Sequence, residues 1–220
     1  SYGTLYGVYE LLEKYLGCRK YTPTVEVVPQ RTTVTLPVDI DDWQVPAITS
    51  RNMLYVCAND NAFFDWLRLT QTPTSWVDRG KWGLWVHTFG TLVPPEKYFN
   101  RHPEYFAMNE KGERVPSQLC LSNPELLDVL CKELDFCMSE KSEALYWSVS
   151  QNDNYNYCKC DACQKAYEEE ESPSGLLIRF INKVAGRYPD KIISTLAYQF
   201  TRKAPKLAKP AANVNIMFCN

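Results

Sequence analysis

Between residues 4 and 16, Leu5, Val8, Tyr9, Leu12, Tyr15 and Leu16 recur at helical spacing. The pattern predicts an amphipathic helix, and Gly17 follows as a left-handed terminator. Arg19-Lys-Tyr-Thr-Pro and Thr32-Thr-Val-Thr-Leu-Pro then read as a short β-rich segment closed by proline. One helix and one or two strands do not make a domain, so residues 1–38 are expected to be the end of a small α/β domain. The acidic, proline-bounded Asp39-Ile-Asp-Asp-Trp-Gln-Val-Pro suits a linker and sets a boundary near residue 40.

From there the pattern alternates. Ile48–Val56 reads as a strand, Asn61–Leu69 as a short helix, and Gly83–Val93 as a strand stopped by Pro94-Pro95. Residues 96–119 make a long insertion with turn signals at His102-Pro103 and Lys111-Gly112, and a loop of that length is functional or carries structure of its own. Asn123-Pro124 opens a helix with Leu127, Leu130, Leu134 and Cys137 on its apolar face, followed by a strand over 144–150. Glu168–Glu171 reads as a solvated helix face or helix end. Ser172-Pro173 opens another helix, burying Leu176, Leu177, Phe180, Ile181 and Val184, and strands follow over Lys191–Phe200 and Val214–Cys219. Strands alternating with helices predict parallel βαβ units. Five strands do not close a barrel of eight. The predicted architecture for residues 39–220 is therefore a partial (β/α)8 TIM barrel, about its first five strands, with a complete open sheet as the alternative.

The chain has 220 residues, 45% of them hydrophobic, enough for a core of its own. A net charge of −2 without a basic run argues against nucleic acid or an anionic membrane surface as partner. No apolar run approaches the roughly 18 residues that span a bilayer. Six Trp and 14 Tyr fit a neutral, sugar-like ligand, although cores use aromatic rings more often than sugar sites do. The chain opens on Ser1 in a helical pattern and stops inside an apolar run, so it is expected to be a piece of a longer protein.

Polar side chains cluster where strands of such a fold end, the edge that faces ligands in parallel α/β folds. Arg51 and Asn52 lie in the first predicted strand, Asn59 and Asp60 just beyond it, His87 and Thr88 in the second, and Tyr198 and Gln199 near the end of the fourth. The richest stretch follows the third: Ser148-Val-Ser-Gln-Asn-Asp-Asn-Tyr-Asn-Tyr-Cys-Lys-Cys-Asp-Ala-Cys163. Within it Asp153 is the candidate catalytic carboxylate, with Gln151, Asn152 and Asn154 beside it. An ordinary Asn/Asp loop is the competing reading. Glycoside hydrolysis needs a second carboxyl, for which Asp60 and acids beyond residue 220 are the candidates. His87 reads as readily as a hydrogen-bonded core histidine as a ligand contact. Cys158, Cys160 and Cys163, three thiols in six residues, are hard to explain by packing, and Cys120 is a possible fourth. Four thiolates suit a structural zinc and two disulfides suit an exported protein; spacing does not separate them.

The segments GTLYGVYELLEKYLGCRKYTP, WGLWVHTFGTLVPPEKYFNRHPEYFAMNEKGERVPSQLCLSNPEL, SVSQNDNYNYCKCDACQ and STLAYQFTRKAP resemble a family of secreted Bacteroidetes proteins. Its members, long catalogued as a domain of unknown function, include endo-β-N-acetylglucosaminidases of the glycoside hydrolase family 163 type. The opening segment is also similar to the end of the N-terminal domain of α-glucuronidases, with Lys20 where CRWYTP would have Trp. The resemblance implies an N-terminal α/β domain, a (β/α)8 catalytic barrel, no catalytic cofactor, a glycan substrate and an exported, periplasmic or cell-surface location. It also implies a substrate-assisted mechanism in which Asp153 takes one of two carboxyl roles and Asn152 and Asn154 position the acetamido group or ring hydroxyls; Arg51, His87, Gln151 and Tyr198, from their places along the predicted strands, are the further candidate sugar contacts. A uronic-acid-releasing glycosidase and a non-catalytic glycan-binding protein are the alternatives.

Overall fold

The periodicity at the start of the chain forms α1 (Tyr2–Glu10), which continues as a π-helical turn over Leu11–Tyr15. Gly17, at φ +74°, ends it as expected. The structure, a computed structural model, describes residues 2–48, 51, 60–72, 75–78 and 81–219. It divides into two units, Ser1–Arg79 and Gly80–Asn220; the boundary expected near residue 40 falls inside the first.

In the first unit β1 (Arg19–Lys20) pairs antiparallel with β2 (Glu26–Val27). The strand expected over residues 32–36 does not form: Val34 and Leu36 are exposed there, between Pro29 and Pro37, and no partner strand pairs with them among the described residues. The strand expected over Ile48–Val56 lies largely outside the described residues. Helix α2 (Asn61–Trp66) begins where Asp60 caps the Phe63 N–H at 2.7 Å. Arg68 joins α2 to the first helix through Glu13 at 2.6 Å and Glu10 at 3.4 Å. A short hairpin, β3 (Gln71–Thr72) with β4 (Ser75–Asp78), closes the unit.

The second unit is built on a parallel sheet. Strand β5 (Trp82–Leu84) is followed by α3 (Phe89–Leu92) and α4 (Pro95–Tyr98), then by the hairpin β6 (Phe106–Met108) and β7 (Arg114–Leu119). After these come α5 (Leu126–Glu140), β8 (Tyr146–Ser148), α6 (Asp161–Glu170), α7 (Pro173–Arg187), β9 (Ile192–Ala197) and β10 (Val214–Phe218). The sheet order is β10-β9-β8-β5, all parallel, so strands adjacent in the sheet follow one another among the sheet strands along the chain. The expected run Gly83–Val93 is therefore strand only to Leu84. An apolar run broken by His87, Thr88 and Gly90 fits a short helix as well as a strand, and the Thr88 carbonyl takes the N–H groups of Thr91 and Leu92 instead. The long insertion carries the β6–β7 hairpin. Ser172 Oγ accepts the Ser174 N–H at 3.2 Å and α7 starts at Pro173 as expected; Asn123 Oδ1 accepts the Glu125 and Leu126 N–H groups at 2.9 and 3.2 Å, but α5 starts at Leu126, two residues beyond the expected first position Pro124.

The two faces of the sheet differ. Trp147 and Ile193 stand side by side in register and pack with Leu126, Leu130 and Leu134 of α5 and Leu177, Ile181 and Val184 of α7. The alternate positions present Ser148, Ser194 and Asn215, the last donating to Ser194 Oγ at 3.0 Å. A helix-packed apolar face thus backs a face with a polar row. The Trp147 ring covers Gly83 so closely that a Cβ there would lie 2.2 Å from it. Because Trp147 is wholly buried, Gly83→Ala is expected to destabilise the protein by about 1–3 kcal/mol. The check is a lower urea midpoint at unchanged slope; an unmoved midpoint would show that the ring gives way.

Candidate functional site

The turns after β5 and β8 are tied together by backbone and hydroxyl groups. Thr88 Oγ1 donates to the Ser148 carbonyl at 2.9 Å and accepts the Ser150 N–H at 3.1 Å. The Ser150 carbonyl accepts the N–H groups of Thr88 and Phe89, and Ser150 Oγ accepts that of His87 at 2.9 Å. These bonds hold His87 at φ +60°, a left-handed conformation unfavourable for a residue with a Cβ. His87 Nδ1 lies 2.8 Å from the Gln151 carbonyl, which only accepts. Nδ1 therefore carries a proton, and in the neutral ring Nε2 is an acceptor with no hydrogen-bond partner among the described residues.

Gln151 is buried, and its amide donates to Thr201 Oγ1 at 2.7 Å and to the Leu196 and Tyr198 carbonyls at 3.3 Å. It locks the β8 turn to the end of β9. The same clasp sets Tyr198 and Gln199 against Asp153. Tyr198 OH donates to Asp153 Oδ1 at 3.0 Å and Gln199 Nε2 donates to the same oxygen at 2.8 Å. Oδ2 has no hydrogen-bond partner among the described residues, and Asp153 is exposed. The bond to Asp153 pushes the Tyr198 phenol pKa up, and the His87 ring lies 5.8 Å from the Tyr198 ring. His87, Asp153, Tyr198 and Gln199 thus meet at the carboxyl ends of three neighbouring strands, where parallel α/β folds place their ligands.

Asn152 and Asn154 serve the loop itself. Both side-chain amides donate to the Ser117 carbonyl, at 2.9 and 3.1 Å, and Asn152 Oδ1 accepts the Gly90 N–H at 3.0 Å. Gln118, buried on β7, accepts the Asn152 N–H at 3.1 Å and donates to the Asn152 carbonyl at 2.7 Å and to Asn154 Oδ1 at 3.1 Å. The hairpin from the insertion therefore holds the loop in place. Ser117 and Gln118 gave no sequence signal, because a polar pair inside an irregular insertion looks like any solvated turn. Beside the hairpin, a cleft of about 560 Å³ is lined by Asn109, Ser117, Tyr155, Tyr157 and Lys159 among others.

The four expected cysteines come together. Cys120, Cys158, Cys160 and Cys163 place their sulfurs within 4.8 Å of one another, as free thiols. Cys120 follows β7 directly, and Cys158 closes the loop that began at Ser148.

The family described as a domain of unknown function, DUF4838, matches residues 20–220. The chain belongs to this family. A search of curated proteins gives no match. The DUF4838 match takes in the whole second unit, and so every residue of the clasp, the loop and the cysteine group. Arg51, in the first unit, donates from its guanidinium to the Arg68 carbonyl at 2.8 Å and the Ile48 carbonyl at 2.6 Å. Asp60, also there, is the α2 cap. Asn52 and Asn59 lie outside the described residues. No described helix is long and apolar enough to cross a membrane.

The charge run lies at the end of α6 with Glu168, Glu169 and Glu171 exposed, as expected, and Glu170 alone departs from that reading. Glu170 is wholly buried, not solvated: it pairs with Arg179 at 2.6 Å and accepts the N–H groups of Leu207 and Ala208 at 2.8 and 2.9 Å. The segment between β9 and β10 folds back over the helix end and covers it.

Proposed function

We propose that the chain is the carboxylate-bearing part of a glycoside hydrolase, an endo-β-N-acetylglucosaminidase acting on N-glycans of an exported protein's environment. The observation that carries this reading is Asp153, exposed at the carboxyl edge of a parallel sheet and aimed by two donors from the neighbouring strand end. The consecutive strand order supports an arc of a (β/α)8 barrel, since a doubly wound sheet reverses its order at a switch point. In such an arc the polar row Ser148, Ser194, Asn215 lines the interior.

In the substrate-assisted route the 2-acetamido oxygen attacks C1, one carboxylate orients the acetamido group, and a second carboxyl protonates the leaving oxygen. Asp153 acts as hydrogen-bond acceptor from both its neighbours, which matches the orienting role. Its Oδ2 is then the atom that takes the acetamido N–H, while Tyr198 and Gln199 hold the group still. His87 Nε2 would accept from a sugar hydroxyl. The uronic-acid reading needs a cation in the pocket, for which Arg51 of the first unit is the candidate. A non-catalytic glycan-binding protein is favoured only by the cleft with its exposed Tyr155, whose volume suits a small-ligand site of about 300–1,000 Å³.

The test is incubation of the full-length parent protein with a glycoprotein bearing complex N-glycans, with products read by mass spectrometry. Free glycan ending in one N-acetylglucosamine, with its partner sugar left on the protein, is the expected result. Retention of glycan on an immobilised parent without release would replace this reading with the binding one.

A further inference from the structure

We propose that Cys120, Cys158, Cys160 and Cys163 hold a structural zinc ion that ties the C-terminal end of the Asp153 loop to the β6–β7 hairpin. The geometry carries the choice. Cys120 Sγ lies 3.6 Å from Cys160 Sγ and 3.8 Å from Cys163 Sγ. A tetrahedral zinc with bonds of about 2.3 Å sets its sulfurs about 3.8 Å apart. One sulfur near this separation from two others at once is the arrangement of a shared ion, whereas a bridge would bring one pair to about 2.05 Å and leave the third aside. An exported location by itself would favour disulfides; the packing of four thiols around one centre favours the metal.

The surroundings fit a thiolate cluster. The Met108 N–H donates to Cys158 Sγ at 3.3 Å, Arg114 Nη1 approaches the same sulfur at 3.9 Å, and Ser122 Oγ lies 3.1 Å from Cys163 Sγ. Such donors orient metal-bound sulfurs and spread their charge. The cluster is also a small core in its own right: three of its six buried members are Cys120, Cys158 and Cys163, and the others are Ala107, Ala166 and Leu176. So few aliphatic groups contribute little burial, and metal binding would supply the folding free energy that this corner lacks.

The consequence is mechanical. Gln118, two residues before Cys120, grips Asn152 and Asn154, and Cys158 follows Asp153 by five positions. A zinc ion would close this ring and hold the hairpin and the loop in one register.

Elemental analysis of the full-length protein, purified without added metal, tests this independently of any glycosidase activity. One zinc per chain is expected, with the four thiols protected from alkylation until a chelator is added and no hydrogens missing from the intact mass. Replacement by cobalt should give the intense visible absorption of a tetrahedral thiolate site. Cys160→Ser is expected to weaken zinc retention at least tenfold, and Cys120→His to retain the ion. Should the variants fail to fold, zinc content and thiol protection of the unmodified protein decide. An intact mass short of four hydrogens, or four reactive thiols with no bound metal after growth in zinc-replete medium, overturns the proposal.

Discussion

Under the proposed endoglycosidase function, Asp153→Asn is expected to lower glycan release by the full-length parent about 10²–10⁴-fold, the range over which a positioned acid–base group acts. The substitution is close to isosteric. The amide oxygen that replaces Oδ1 would still accept from Tyr198 and Gln199, which reach the aspartate at 3.0 and 2.8 Å, so the turn keeps its shape. What is lost is the negative charge that the cationic, oxazolinium-like intermediate requires, so kcat should fall far more than KM rises. Tyr198→Phe removes one of the two aiming bonds and should cost about tenfold to hundredfold. Circular dichroism of both variants should overlay that of the parent. Full activity in Asp153→Asn would take Asp153 out of the chemistry and leave it a loop residue.

The elements that the sequence makes legible are those with two agreeing local signals. Helix α7 has a capping serine, a proline at its first position and an unbroken apolar face, and it forms as expected. The run from Gly83 to Val93 has only apolar character, which strand and short helix share, and tertiary bonds from the Ser150 turn decide between them. The Asp153 loop is visible because acids and amides there interrupt a strand. The division of labour within it is not, because Asn152, Asn154 and Gln151 are chemically as fit to bind sugar as to bind backbone. Only their partners, Ser117, Gln118 and Thr201, assign them to the scaffold, and those partners lie between 34 and 50 residues away. The cysteine group is legible through spacing in three of its members; Cys120 joins them through the β6–β7 hairpin, which periodicity inside the insertion does not reveal.

Glu170→Ala is expected to cause the largest loss of stability among these substitutions. Removing the side chain strands the Leu207 and Ala208 N–H groups and leaves Arg179 without its buried partner. It also opens a hole over Gly175, where the fit is so close that an added Cβ would lie 2.2 Å from Glu170 Cγ. Breaking a buried pair from one side costs about 3–5 kcal/mol. Because the Arg179 side chain is 39% exposed and water can reach it, the lower end, about 3 kcal/mol, is expected. Thermal unfolding should fall by about 6–12 °C on that basis. The pH dependence carries its own signature. Burial pushes the Glu170 pKa up, but the Ala208 and Leu207 N–H groups and Arg179 outweigh it and hold the carboxyl below its ordinary value of 4.5. A folded-state pKa below the unfolded one means that the group's contribution is complete above the unfolded value and is lost as pH falls from there through the folded value. Unfolding midpoints of the parent and of Glu170→Gln, which keeps the shape and one acceptor, should therefore differ by a constant amount near neutrality and converge as pH drops below about 4.5. A difference that stays flat into acid would mean that the carboxylate's charge contributes nothing and that shape alone holds the β9–β10 connection over the helix end.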